Sequence, residues 1–160
     1  MINIHLIVLG KLKESYWKEA EAEYLKRLKP YARLTIHELK EESFDDKSNT
    51  ELIKEKEMEK IKDRLSKIKN GFIIALDEHG KQLSSPEFVN TFNNNETMEQ
   101  RNNLTFIIGG PLGLHASILK SANLVLSLSK MTFTHQMARV FLLEQIYRAM
   151  MIKEGRKYHY

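Results

Sequence analysis

Apolar residues recur along this chain in two rhythms. Uninterrupted or alternating runs read as strands at 2–9, 34–39, 72–76, 104–108 and 123–128, while steps of three and four read as helices between them. The first helix is expected over 15–29, with Ser15 as its cap, Trp17, Ala20, Tyr24 and Leu28 on one face, and Pro30 ending it. The stretch 49–69 is dense in charge, yet Met58, Ile61, Leu65 and Ile68 form a stripe, so it predicts an amphipathic helix with a solvated face rather than a nucleic-acid arm. Shorter helices follow at 84–93, opened by Ser84 or Ser85 with Pro86, and at 115–121. A long helix closes the pattern over 135–154, with Val140, Leu143, Ile146 and Met150 among its apolar positions. The polar segments 40–48 and 93–103 are expected to be connectors. Strands alternating with helices predict an α/β fold, a mostly parallel sheet with helices on both faces.

Composition narrows the picture. With 160 residues, 42% of them hydrophobic, the chain suits one domain spanning 1–160 with a true core. It has no cysteine, which excludes disulfides and thiolate chemistry. The six histidines show no metal-ligand spacing, so no metal is expected. The apolar opening is too short to span a membrane and lacks the flanks of a signal peptide, so it reads as a buried strand of a cytoplasmic protein without a membrane partner. A formal net charge of +4 favours a polyanionic partner, although basic and acidic residues are interspersed.

Candidate chemistry collects after the strands. In Thr105-Phe106-Ile107-Ile108-Gly109-Gly110-Pro111-Leu112-Gly113-Leu114 a strand runs into a glycine-rich turn and a helix, where a ligand can approach bare peptide groups. The spacing is neither the dinucleotide fingerprint nor a phosphate loop, so a nucleotide-type ligand other than NAD or ATP fits, and a plain tight connection stays equally open. Loops 77–81 and 129–134 follow two further strands, and in a parallel sheet the three loops can converge on one edge. The last helix adds His135, Arg139, Glu144, Tyr147 and Arg148, with Glu144 and Arg148 at the spacing of an ion pair. The chain ends Arg156-Lys157-Tyr158-His159-Tyr160, residue types that stack on bases and bind phosphates.

Several motifs, taken in order, carry a resemblance. Leu76-Asp77-x-x-Gly80-Lys81, Phe106 to Leu114 with its three glycines, Leu126-Ser127-Leu128-Ser129, Thr134-His135-x-x-x-Arg139-x-x-x-x-Glu144-Gln145-x-Tyr147-Arg148 and Tyr158-His159 together resemble the SPOUT-class ribosomal RNA large subunit methyltransferase H family. The likeness runs from the first strand to the tail. It implies a trefoil knot near the C-terminus, a homodimer, and S-adenosylmethionine-dependent methylation of N3 of a pseudouridine in helix 69 of 23S rRNA in the assembled ribosome, with no DNA partner. It implies cofactor binding by Leu76, Gly109, Gly110 and the run Leu128, Ser129, Lys130, Met131, Thr132 and Phe133. His135, Arg148, Tyr158 and His159 are the catalytic candidates near the target base, and Arg139 and Glu144 organise the site or the dimer. Two other readings compete. A non-catalytic RNA-binding or ribosome-assembly protein accounts for the charge and tail but not the loops. A nucleotide-dependent oxidoreductase accounts for the glycines but lacks the acidic residue expected about 20 positions beyond a dinucleotide fingerprint.

Overall fold

The computed structural model describes residues 1–69, 71–93 and 103–158. His159, a catalytic candidate, lies outside them, as do Tyr160 and most of the expected connector before residue 103. In chain order the elements are β1 (Ile2–Leu9), α1 (Ser15–Leu28), β2 (Ala32–Leu39), α2 (Thr50–Ser66), β3 (Phe72–Gln82), α3 (Ser85–Asn93), β4 (Asn103–Ile108), α4 (Ala116–Ser121), β5 (Leu124–Ser127) and α5 (His135–Lys153). The strands form one sheet in the order β2-β1-β4-β3-β5. Every neighbouring pair is parallel.

Side-chain alternation along each strand splits the core in two. Ile4, Leu6 and Val8 of β1, Ile74 of β3 and Leu104, Phe106 and Ile108 of β4 face α1, α3 and α5, where they meet Leu28, Phe88, Phe92, Leu142 and Ile146. The intervening positions Ile7, Leu9, Ala75 and Ile107 face α2 and α4 and pack on Ile61 and Ile118. Helices therefore cover both faces. All six residues of β4 are buried, as a central parallel strand requires. Burial of each such large apolar side chain contributes roughly 1.5–3 kcal/mol.

Most boundaries shift by one to three residues from the sequence reading, and three differences matter. Glu14, not Ser15, takes the extended cap position of α1 and makes no side-chain cap bond. Strand β2 begins at Ala32, two residues early, because the turn through Pro30, closed by Tyr31 N–H donating to Leu28 O at 2.8 Å, is complete by then. Most informative is β3, which does not stop at Leu76. The expected loop 77–81 is part of the strand, and an irregularity lets both Leu76 and Lys81 register against Leu126 of β5. Gly80 permits this crossing, since a Cβ there would lie 2.7 Å from the Val125 carbonyl oxygen.

Candidate active site

All five strands point their C-terminal ends to one edge of the sheet, and there a cavity of about 1020 Å³ opens. Its floor is the β4–α4 loop. Gly110 O accepts a 3.0 Å bond from Gly113 N–H, closing a turn with Pro111 at its first corner, and Gly113 has φ of 77°. Gly109 sits so close to the returning chain that a Cβ would lie 3.0 Å from Gly113 C and 3.1 Å from Leu114 Cγ. Gly110 is not so constrained: a Cβ there would meet Glu57 and Leu9 at 3.7 Å or more. His115 caps α4 by accepting from Ser117 N–H, and its Nε2 stands 3.2 Å from Glu51 of α2, which lines the cavity with Lys54.

A second wall comes from β3, through Leu76, Asp77, Glu78 and His79. The loop after β5 supplies the third, with Leu128, Ser129, Met131, Thr132 and Phe133. Short-range bonds shape that loop: Ser127 Oγ donates to Ser129 O at 2.8 Å, and Met131 N–H donates to Ser129 Oγ at 3.0 Å. The Thr132 hydroxyl donates to Glu78, tying the β5 loop to the extended end of β3. Met131 is 75% exposed, while Phe133 packs edge-on against Phe141 of α5. Of the expected cofactor residues, Lys130 alone is absent from this lining. It borders an adjoining cavity of about 650 Å³ with Glu78, His79 and Thr132.

The first turn of α5, capped by the Thr134 hydroxyl, brings His135 to the same cavity. Burial lowers the His135 pKa, with Lys13 and Arg139 acting in the same direction and Glu41 opposing. The imidazole is thus held neutral near physiological pH and able to accept a proton. One turn on, Arg139 is 4% exposed. Its guanidinium donates to both carboxylate oxygens of Glu21 on α1, and to Glu38 of β2 at 2.9 Å. Arg139 organises the fold beneath the site rather than facing it.

Arg148 and Tyr158 are elsewhere. Helix α5 runs back along the sheet, so Arg148 lies about 20 Å along the axis from His135. There Arg148 donates to Glu144 at 2.6 and 3.0 Å and to the Tyr158 carbonyl at 3.3 Å, with its guanidinium 4.8 Å from the Tyr158 ring centre. The Glu144 carboxylate raises the Arg148 pKa further above its ordinary value. Tyr158 also stacks edge-on against Tyr147 at 4.9 Å. Within one chain, His135 at the cavity does not meet Arg148 and Tyr158.

Some residues at the site escaped the sequence reading. Glu57 is 4% exposed and accepts from Glu42 N–H at 3.0 Å, and burial pushes its pKa up. Its signal was its place midway between the buried Ile53 and Ile61, four residues from each. Glu41 and Gly10 gave no signal, since they follow different strands, β2 and β1, and only the folded chain brings both to His135.

The family described as "Predicted SPOUT methyltransferase" matches residues 2–159. A protein of Clostridium acetobutylicum named ribosomal RNA large subunit methyltransferase H is 48% identical, the match covering 99% of each chain. One of the same name from Carboxydothermus hydrogenoformans is 46% identical over the same share of each. Among solved structures, a methylase family protein from Haemophilus influenzae aligns over 97% of this chain and 67% of its own, with a TM-score of 0.56 and 11% identity. A methyltransferase chain from Legionella pneumophila, solved with bound SAM, aligns over 92% of this chain and 66% of its own at a TM-score of 0.53 and 16% identity. At such identities the structural likeness speaks for the fold alone, but the family match and the full-length relatives reach every loop around the cavity: the chain belongs to the SPOUT methyltransferases.

Proposed function

We propose that this protein is an S-adenosylmethionine-dependent rRNA methyltransferase that modifies N3 of a pseudouridine in helix 69 of 23S rRNA, acting on the assembled ribosome as a cytoplasmic homodimer. The observation that carries it is the convergence on one cavity of two loops and the extended end of β3, all distant in sequence. Full-length relatives named for rRNA methylation support the substrate class. Among the described residues no helix is long and apolar enough to cross a membrane. The trefoil threading of the C-terminal region belongs to the same reading.

The residues fit the cofactor. The cavity falls at the upper end of the range for small-molecule sites, and Leu76, Leu128 and Met131 give it apolar walls. Gly109 and the turn behind it leave bare peptide groups to bind an adenine or ribose edge. Backbone groups of residues 128–133 extend that surface, and Glu51, Asp77 and Glu78 set carboxylates around a donor that carries positive charge. When bound, S-adenosylmethionine supplies a sulfonium-activated methyl group. The chain has then to align the target nitrogen and take up its proton. Neutral His135 accepts the imide proton, with the loops excluding water around it. Arg148, Tyr158 and His159 hold the RNA from the partner subunit, because within one chain the Arg148 end of α5 lies remote from the cavity.

Calorimetric titration with S-adenosylmethionine, NADH and ATP tests the cofactor, and mass spectrometry of ribosomes treated with enzyme and labelled methyl donor tests the substrate. Binding of S-adenosylmethionine alone, with label on one helix 69 nucleotide, is expected. Tight ribosome binding without methyl transfer would instead favour a non-catalytic assembly protein.

A further inference from the structure

The end of β1 and the start of α5 meet at a notch. Gly10 has φ of 86°, and the point where a Cβ would stand is 3.0 Å from Glu41 Oε2 and 3.2 Å from His135 Nε2. The two polar atoms therefore flank the same point and lie no more than about 6 Å apart, a gap that one water can span. His135 Nε2 is buried and has no hydrogen-bond partner among the described protein atoms. Leaving a buried ring nitrogen unsatisfied is unfavourable, so this arrangement calls for a link across the notch.

We propose that Glu41 is a positioning residue for His135: the Nε2–H donates to one water beside Gly10, that water donates to the Glu41 carboxylate, and the lone pair is thereby left on Nδ1. This rests on the reading of His135 as proton acceptor given above. Fixing the tautomer through the far ring nitrogen is how a carboxylate makes an imidazole an oriented and stronger base.

The charged groups around His135 come from three elements. Glu41 follows β2 and stabilises the imidazolium. Lys13, before α1, opposes it and stands 4.0 Å from Glu41. Arg139 also opposes it from α5, but its charge is engaged by Glu21 and Glu38. The Lys13 N–H donates at 2.8 Å to Gln136 Oε1, which pins the β1–α1 turn against the same end of α5. Glu41 is thus the one group that favours the protonated ring.

The test is a pH titration of isotope-labelled His135 by NMR in the full-length protein, paired with the pH profile of methyl transfer to ribosomes. In Glu41→Gln the His135 titration is expected to move to lower pH, the acid limb of the rate profile to move with it, and the plateau rate to fall about tenfold. Glu41→Asp should restore part of each. S-adenosylmethionine affinity by calorimetry should stay within about twofold, which separates this role from damage to the cavity. An unmoved His135 titration in a folded Glu41→Gln protein overturns the proposal, as does a moved titration with an unmoved rate profile. If wild-type protein transfers no methyl group, the functional reading fails, while a titration that moves in Glu41→Gln still supports the pairing.

Discussion

The two ends of α5 are built on opposite plans. At its N-terminal end, a glycine-rich turn, the end of β3 and the loop after β5 surround a cavity, and Met131 stands exposed. At its C-terminal end there is little bare backbone. Tyr24 and Tyr31 each pack on Tyr147, Arg27 lies over Tyr24 and Tyr147, Arg156 over Tyr31, and Arg148 over Tyr158. The first plan suits a small ligand gripped by peptide groups, and the second suits flat bases and phosphates. One α5 carries both about 20 Å apart, so it cannot bring them together by itself. In the proposed homodimer a second copy of the chain would bring its tail to the cavity of the first. A symmetric dimer does this twice.

The comparison breaks most completely at Arg139, which lies between the ends and ties α5 to α1 and β2. Arg139→Ala leaves Glu21 and Glu38 without their buried partner and is expected to cost about 3–5 kcal/mol of stability, measured by chemical denaturation. Both ends should weaken together.

Removing residues 156–160 should separate them. Methyl transfer to ribosomes is expected to fall about 100-fold or more with S-adenosylmethionine affinity preserved. A mixed dimer of a tail-deleted chain and a Gly109→Val chain should retain activity, because one intact cavity then faces one intact tail. Wild-type activity in the tail-deleted homodimer would end the composite-site idea.

Gly109→Val is the converse. Crowding against Gly113 and Leu114 should raise the S-adenosylmethionine Kd about tenfold, roughly 1.4 kcal/mol, with ribosome binding intact. Gly110→Ala should have a smaller effect, since that position has ordinary space.

The smallest effect belongs to neither end. His5 and His37 stack between β1 and β2, their ring nitrogens 3.0 Å apart, and burial lowers the pKa of both. The folded protein then binds fewer protons than the unfolded chain as pH falls through about 6.5, so stability present above that pH is lost below it. The melting temperature should drop by roughly 2–4 °C between pH 7 and 5, and His37→Gln should flatten the change. An equal drop in the variant would assign the sensitivity to other groups.

Much of the first plan was legible and little of the second. Glycines after a buried run, and the alternation of strands with helices, announce the loops because backbone freedom and periodicity are local properties. The extension of β3 was hidden, since its charged residues and the doubled register at Leu126 erase the alternation that marks a strand. The Glu144–Arg148 spacing was visible, but its union with Tyr158 depends on the turn at Gly155, with φ of 65°, which folds the tail back along the helix. The buried partners of Arg139 were illegible because they come from two other elements.

The order of strands in the sheet also governs how the chain finds its shape. Strand β1 lies between β2 and β4, and Asn3 pairs in register with Asn103, their side chains joined by a 3.1 Å bond. During synthesis the first strand emerges early, yet one of its two neighbours follows about a hundred residues later. Contacts so far apart in sequence slow the search for the native state, because the entropy of closing a long loop is lost before the contact forms. An apolar strand edge waiting through that interval is open to wrong partners, so the refolding yield from denaturant should fall as protein concentration rises.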